Sequence, residues 1–234
     1  MLRFEGINAR IQGVPVLRDV DFTLEPGATV ALIGRNGAGK TTTLRTVMGF
    51  IAPDSGSLYL GDRCIDDIPA HARPGLGIGY APEDRRLFSA FNVRENILLP
   101  ARAARVAPEE IRRRLDGVYE ILPELRDMAE RPGGTVSGGQ GKMVALGRAL
   151  MIGTRVVLLD EPFQGLAPAL ANRYAEALRT LRERDRDITL VITESNPALL
   201  RQFADRTLVI ERGEVSEGSL ERSHADAATQ EEIS

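Results

Sequence analysis

The segment Gly34-Arg35-Asn36-Gly37-Ala38-Gly39-Lys40-Thr41 sets three glycines, a lysine and a hydroxyl within eight residues. Glycines let successive backbone N–H groups converge on an anion, and a following helix start adds the positive end of its dipole. In that geometry the Lys40 ammonium can neutralise the outer oxygens of a nucleotide polyphosphate, and the Thr41 hydroxyl can face Mg²⁺. The pattern sits between an apolar run, 29–33, and an amphipathic stretch, 42–48, the strand-to-helix setting that such a loop requires. Gly34, Arg35, Asn36, Gly37, Ala38, Gly39, Lys40, Thr41 and Thr42 are therefore the candidate phosphate-binding residues.

Two further groups carry chemistry. The run Val156-Val157-Leu158-Leu159 ends in Asp160 and Glu161, two carboxylates at the strand end where open α/β sheets bind ligands. Asp160 can hold Mg²⁺ directly or through water, and Glu161 can polarise a water attacking the terminal phosphate. Ahead of an amphipathic stretch at 142–151, Ser137, Gly138, Gly139 and Gln140 form a serine-glycine turn. Ser137 can cap that helix while the glycines expose its N–H groups, which makes a second anion site. Lysine is scarce: of the 30 basic residues only Lys40 and Lys142 are lysines.

Short apolar runs alternate with amphipathic stretches, the pattern of parallel strands joined by helical crossovers, so the fold class is α/β. The runs 29–33, 156–160 and 188–193 are apolar throughout and predict buried strands lying side by side. Residues 2–7 and 18–24, with a turn at Gly13-Val14-Pro15, predict antiparallel strands flanking that core. From about 85 to 134 the period becomes helical, and Pro108-Glu109-Glu110 opens a helix that runs to Ile121-Leu122. The stretch 198–203, behind Asn196-Pro197, predicts a capped helix, and the tail from 216 is polar.

A chain of 234 residues, 43% hydrophobic and 27% charged, can bury a core; its net charge of −3 is mixed along the sequence and offers nothing to nucleic acid. Cys64 is the only cysteine, expected to be a buried, inert thiol, so no disulfide or cysteine-based zinc cluster can form within the chain. Neither a leader-like apolar stretch nor a run of about 20 apolar residues is present, so membrane association is expected through a partner.

The segments 34–41, 137–140 and 156–161, in that order and spacing, resemble the Walker A, signature and Walker B motifs of the ABC ATPases. The resemblance implies a P-loop NTPase core with a mostly parallel central sheet, an N-terminal antiparallel β part and a helical subdomain. The ATPase domain would span 1–218, with the helical lobe inserted at about 85–150 and a flexible tail at 219–234. It further implies ATP and Mg²⁺ as ligands and a second ATPase subunit, whose γ-phosphate would meet Ser137 and Gly139 across the interface. Within the family, Tyr80 to Phe88, Gly147 to Met151 and Gly165 to Pro168 are similar to the ATPases of branched-chain amino acid importers. In that subgroup glutamate commonly stands at the position of Glu83, which would sense Mg²⁺ or water.

An importer ATPase works at the cytoplasmic face of the membrane with permease subunits, which here would meet 88–96, and with a solute-binding protein. Three positions depart from the family. Ile11 stands where an aromatic residue stacks on adenine, Ser195 where histidine or glutamine contacts the γ-phosphate, and bulky Phe163 where a small polar residue borders the dimer junction. A short Ser195 hydroxyl is expected to need a bridging water to reach the phosphate. These departures predict slower turnover, with a hydrolysis-poor regulatory half paired with an active ATPase as the alternative reading.

Overall fold

The structure, a computed structural model, describes residues 1–84 and 87–218. The tail predicted at 219–234 lies outside them. The chain opens with β1 (Leu2–Ile11) and β2 (Val14–Leu24), paired antiparallel across Gln12 and Gly13, whose φ angles are 51° and 81°. Positive φ at both central positions is the hairpin turn whose twist matches that of its strands. The turn is thus Gln12-Gly13 rather than Gly13-Val14-Pro15, and pairing of Arg10 with Pro15 and Ile11 with Val14 extends both strands beyond their apolar runs. Through β3 (Thr29–Ile33) and α1 (Lys40–Val47) the chain reaches β4 (Ser55–Leu60) and β5 (Arg63–Cys64), which complete a sheet in the order β2-β1-β4-β5. Because β5 is a two-residue edge strand, Cys64 is exposed, with Sγ 3.2 Å from Asp66 Oδ2, and not buried as its residue type suggested.

The second sheet gathers β6 (Ile78–Ala81), β7 (Val156–Asp160), β8 (Thr189–Glu194), β9 (Arg206–Glu211) and β10 (Glu214–Gly218) around β3, in the order β10-β9-β3-β8-β7-β6. All neighbours run parallel except β10, which returns on β9. The three predicted core strands stand together as β3-β8-β7, and every residue of β7 and β8 is buried, which is why they read as continuous apolar runs.

Four helices follow β6: α2 (Val93–Ala103), α3 (Pro108–Ile121), α4 (Pro123–Asp127) and α5 (Gly138–Leu150). Asn92 and Glu95 cap α2 reciprocally, and Pro108 opens α3 at the position where a missing N–H costs nothing. Their apolar faces, through Ile97, Val118, Leu125 and Met143, share one core with Leu159, Ile192 and α6 (Pro168–Arg184) on one side of the parallel sheet. Leu44 and Val47 of α1 and the inner face of the antiparallel sheet form a second core on the other side. The stretch after Asn196 is a six-residue 3-10 helix, Pro197–Gln202, instead of an α-helix, with the Asn196 side chain accepting the Ala198 N–H. Among the described residues no helix is long and apolar enough to cross a membrane.

Candidate active site

The glycine loop joins β3 to α1. Gly39, with φ 120°, precedes the first helical residue, and a Cβ there would lie 3.1 Å from Val16 O. Gly37 has φ 81° and open space around it, so its backbone faces the cleft bare. Lys40, buried at the start of α1, folds back over its own loop: Nζ donates to Gly34 O at 2.7 Å and Arg35 O at 3.2 Å. The same ammonium lies 3.0 Å from Ser195 Oγ and 3.0 Å from Glu161 Oε1.

Strand order explains this convergence. β3, β8 and β7 are neighbours, so the loop after Ile33, the end of β8 at Glu194 and the end of β7 at Asp160 share one sheet edge. Asp160 is buried; its Oδ1 accepts from the Thr41 and Thr193 hydroxyls, both at 2.9 Å, and its Oδ2 accepts from Tyr80 at 3.1 Å. Burial and the charge of Asp160 push the Tyr80 phenol well above its ordinary value, so it stays a donor.

Glu161 takes a positive φ of 46°, and its N–H is held by Thr193 O at 3.2 Å and Thr193 Oγ1 at 3.1 Å. Its Oε1 lies 2.7 Å from Ser195 Oγ, and its Oε2 accepts the Ser195 N–H at 3.2 Å. The Ser195 hydroxyl, also 2.7 Å from Asn36 Oδ1, has one proton to share between these two acceptors. Burial raises the Glu161 carboxyl, but the hydrogen bonds from Ser195 and Lys40 outweigh it and hold the group below its ordinary value. Ser195 thus reaches the lysine and the carboxylate directly.

These groups line a cleft of about 590 Å³, within the usual range of small-molecule sites. Ile11, Val14 and Val16 form an apolar wall on one side; exposed Glu83 and Gln164 and buried Glu161 also line it. The bare backbone at Gly37 and the Lys40 ammonium suit a nucleotide polyphosphate. Thr41 and Asp160 present hard oxygens 2.9 Å apart, the donor set from which Mg²⁺ is held together with phosphate and water oxygens.

Ser137, Gly138, Gly139 and Gln140 do not line this cleft. Ser137 caps α5, with Oγ accepting the Gln140 N–H at 3.3 Å while Gln140 Oε1 accepts the Ser137 N–H at 3.0 Å. Phe163 is buried, its ring 5.5 Å from Tyr174 and 6.3 Å from Phe203. Sequence reasoning missed four neighbours of the acidic pair: Tyr80, Thr193, Lys142 and Glu194. Only Lys142 carried a signal, as one of two lysines in the chain.

A family model described as ABC transporter matches residues 17–164. The high-affinity branched-chain amino acid transport ATP-binding protein BraG of Pseudomonas aeruginosa is 36% identical, over 92% of this chain and 91% of that one. The probable branched-chain amino acid transport ATP-binding protein LivF of Archaeoglobus fulgidus is 33% identical, over 92% and 90%. The lipopolysaccharide export ATP-binding protein LptB of Acidithiobacillus ferridurans is 33% identical, over 86% and 82%. Among solved structures, an ATP-binding subunit of an ABC transporter superposes with a TM-score of 0.80 at 26% identity, covering 100% of this chain and 94% of that one. Fold, glycine loop and relatives agree, and the chain belongs to the ABC transporter family as an ATP-binding subunit, an ATPase with the P-loop NTPase fold.

Proposed function

We propose that this chain powers an ABC importer for branched-chain amino acids or a similar small polar solute, acting at the cytoplasmic face of the membrane. The observation that carries the catalytic part is the meeting of Lys40, Thr41, Asp160, Glu161 and Ser195 at one edge of the parallel sheet. Gly34 to Thr42 cradle the phosphates of ATP, and Ile11 and Val14 lie against the base. Thr41 and Asp160, with Glu83 through water, would hold Mg²⁺, which supplies charge neutralisation between the β- and γ-phosphates.

Before nucleotide arrives, the Lys40 ammonium is neutralised by Glu161. A γ-phosphate gives Lys40 a second anionic partner and releases Glu161 Oε1 to accept a hydrogen bond from water. Ser195 keeps the glutamate oriented while the Tyr80 and Thr193 hydroxyls hold Asp160. The Ser137 to Gln140 turn faces outward and serves the nucleotide held by a second copy or a related ATPase.

Docking to the permease falls on a separate apolar hollow of about 540 Å³ that includes Met48, Phe50, Tyr80, Pro82, Phe88 and Ile152. Phe50 and Phe88 are 57% and 51% exposed, an unusual investment of aromatic surface in solvent. Glu83, next to Pro82 in the chain, lines the nucleotide cleft and so stands between the two sites. The import direction and the amino acid cargo rest on the likeness to BraG and LivF, with a solute-binding protein outside the membrane as the third partner. Reconstitution of the chain with its permease tests the reading. ATP-dependent uptake of leucine, isoleucine or valine is expected, and in Glu161→Gln hydrolysis and uptake fall together by about 10²–10⁴-fold while ATP still binds. Outward movement of a lipid substrate by the same complex would overturn the importer assignment.

A further inference from the structure

The chain has two lysines, and both end on Glu161. Lys40 reaches the carboxylate, whereas Lys142, from the second turn of α5, places Nζ 2.6 Å from the main-chain carbonyl oxygen of Glu161 in a buried setting. Nothing in the nucleotide cycle described above uses that second contact, because Lys142 does not line the cleft.

Glu161 needs the restraint. A non-glycine residue with φ 46° sits in a region costing about 1–2 kcal/mol, and such residues persist only where their surroundings over-determine them. The peptide before Glu161 is anchored by Thr193 on β8. The peptide after it leads into Pro162, which has no N–H, so the Glu161 carbonyl is the one group through which that side can be held. Lys142 holds it. One residue on, the Phe163 N–H donates to Glu194 Oε1 at 2.8 Å, and the charge of Lys142 acts on this buried carboxyl as well. The ammonium thus lies beneath the loop from 161 to 163, on the Glu161 carbonyl oxygen and within electrostatic reach of the Glu194 carboxyl.

The same helix carries the signature turn. A Cβ on Gly139 would stand 2.1 Å from Leu170 Cδ2 and 3.4 Å from Leu166 Cδ2, so the first turn of α5 lies directly on the segment that follows Glu161. Ser137, five residues before Lys142, caps that turn. The turn and the Glu161 loop are therefore joined by a short, buried, charged contact.

We propose that Lys142 is a positioning residue for ATP hydrolysis: it fixes the Glu161 carboxylate through its main-chain carbonyl and ties it to the Ser137 to Gln140 turn. The inference rests on the reading of Glu161 as the residue that orients water. It makes each chain's hydrolytic carboxylate responsive to whatever its own signature turn touches, which under that reading is nucleotide held by the other subunit.

Steady-state hydrolysis and equilibrium nucleotide binding on the full chain test it. For Lys142→Met, kcat is expected to fall by about 10- to 100-fold, as for other displacements of a catalytic group by about 1 Å. KM and nucleotide affinity should stay within about twofold, the split expected when only the transition state is affected. Lys142→Gln keeps an N–H donor without the charge and should recover part of kcat; it also serves if the methionine variant does not fold. Unchanged kcat in the folded variant overturns the inference, as does a parallel fall in kcat, affinity and thermal stability, which would mark a merely structural role. In a Glu161→Gln background, Lys142→Met should remove nothing further, since it acts through Glu161; an additional loss overturns it. Separately, full activity of Glu161→Gln itself would remove the reading of Glu161, and the Lys142 single variants report independently of that result.

Discussion

The sheet edge at β3, β8 and β7 and the turn at the start of α5 both offer anion-binding chemistry, yet they wait for ligand in opposite ways. At the sheet edge Lys40, Asp160 and Glu161 are all buried, and each is matched before any ligand arrives: the ammonium by Glu161, the aspartate by three hydroxyls. Charges removed from water demand partners, since an unpaired buried ion costs several kcal/mol. The α5 turn carries no charge. Its serine and glutamine close on each other in a capping box, and Ser137 and Gly138 stay exposed. A helix start with bare N–H groups can stand in solvent without such a cost and meet an anion carried by another surface. One region is a self-neutralised site that ligand must enter by exchange of partners; the other is a ready contact that has no ligand of its own.

The largest effect that would break this contrast is at Lys40. Lys40→Ala removes the phosphate contact and leaves Glu161 without its ion pair, so ATP affinity in a fluorescence titration should drop by about 10- to 100-fold, the worth of a charged hydrogen bond. Retained affinity would show that the sheet edge does not hold the phosphates.

Ser137→Ala should act in the other way. Losing the cap lowers stability by about 1 kcal/mol in a denaturation curve, while ATP affinity of the single chain is unchanged and hydrolysis at high protein concentration falls by about tenfold or more. A loss of affinity in the single chain would erase the distinction between the two regions.

The apolar wall offers a gain-of-function check. Ile11 and Val14 give the cleft wall only aliphatic surface, so with the base placed there as proposed, wild-type affinities for ATP and GTP should be comparable. Ile11→Tyr should tighten ATP binding by about 1–3 kcal/mol through stacking. No gain in calorimetric titration would place the base elsewhere.

The smallest expected effect concerns the charge balance behind the sheet edge. Burial, and then the neighbouring Glu161 charge, push Glu194 up to about 8, against the pull of the Phe163 N–H and Lys142. Its raised value in turn borders Tyr174, whose phenol burial and Glu194 push upward. A carboxyl that binds its proton more tightly folded than unfolded adds stability below the ordinary carboxylate value, and this is lost as pH rises through about 8. Wild-type Tm should therefore fall relative to Glu194→Gln by a few degrees between about pH 5 and pH 8.5. Parallel curves for the two proteins would mean that Glu194 ionises normally.

Legibility followed the range of the forces involved. The glycine loop, the Ser137 cap, the Pro108 helix start and the buried strands were readable because each is a demand made within a few residues: a φ only glycine tolerates, an N–H needing an acceptor, an apolar run too short for anything but a strand. Cys64 was misread, and the surroundings of Phe163 were not readable, for the complementary reason. The thiol is exposed because its strand is two residues long at a sheet edge, and the ring is buried because β7 delivers it between α6 and the turn after β8.

By itself, then, the sequence singled out the residues whose types suit phosphate, metal and water chemistry, and placed them at a strand end and a helix start. Only the tertiary structure decided that Ser195 lies directly between Lys40 and Glu161, that Tyr80 and Thr193 hold Asp160, and that the second lysine comes from α5 to the Glu161 carbonyl. Those contacts join residues 19 to 155 positions apart, and they follow from the neighbour order of β3, β8, β7 and β6 and from α5 packing on their edge. Strand order is a property of the whole buried sheet, set by long-range pairing and core packing, and no local pattern encodes it.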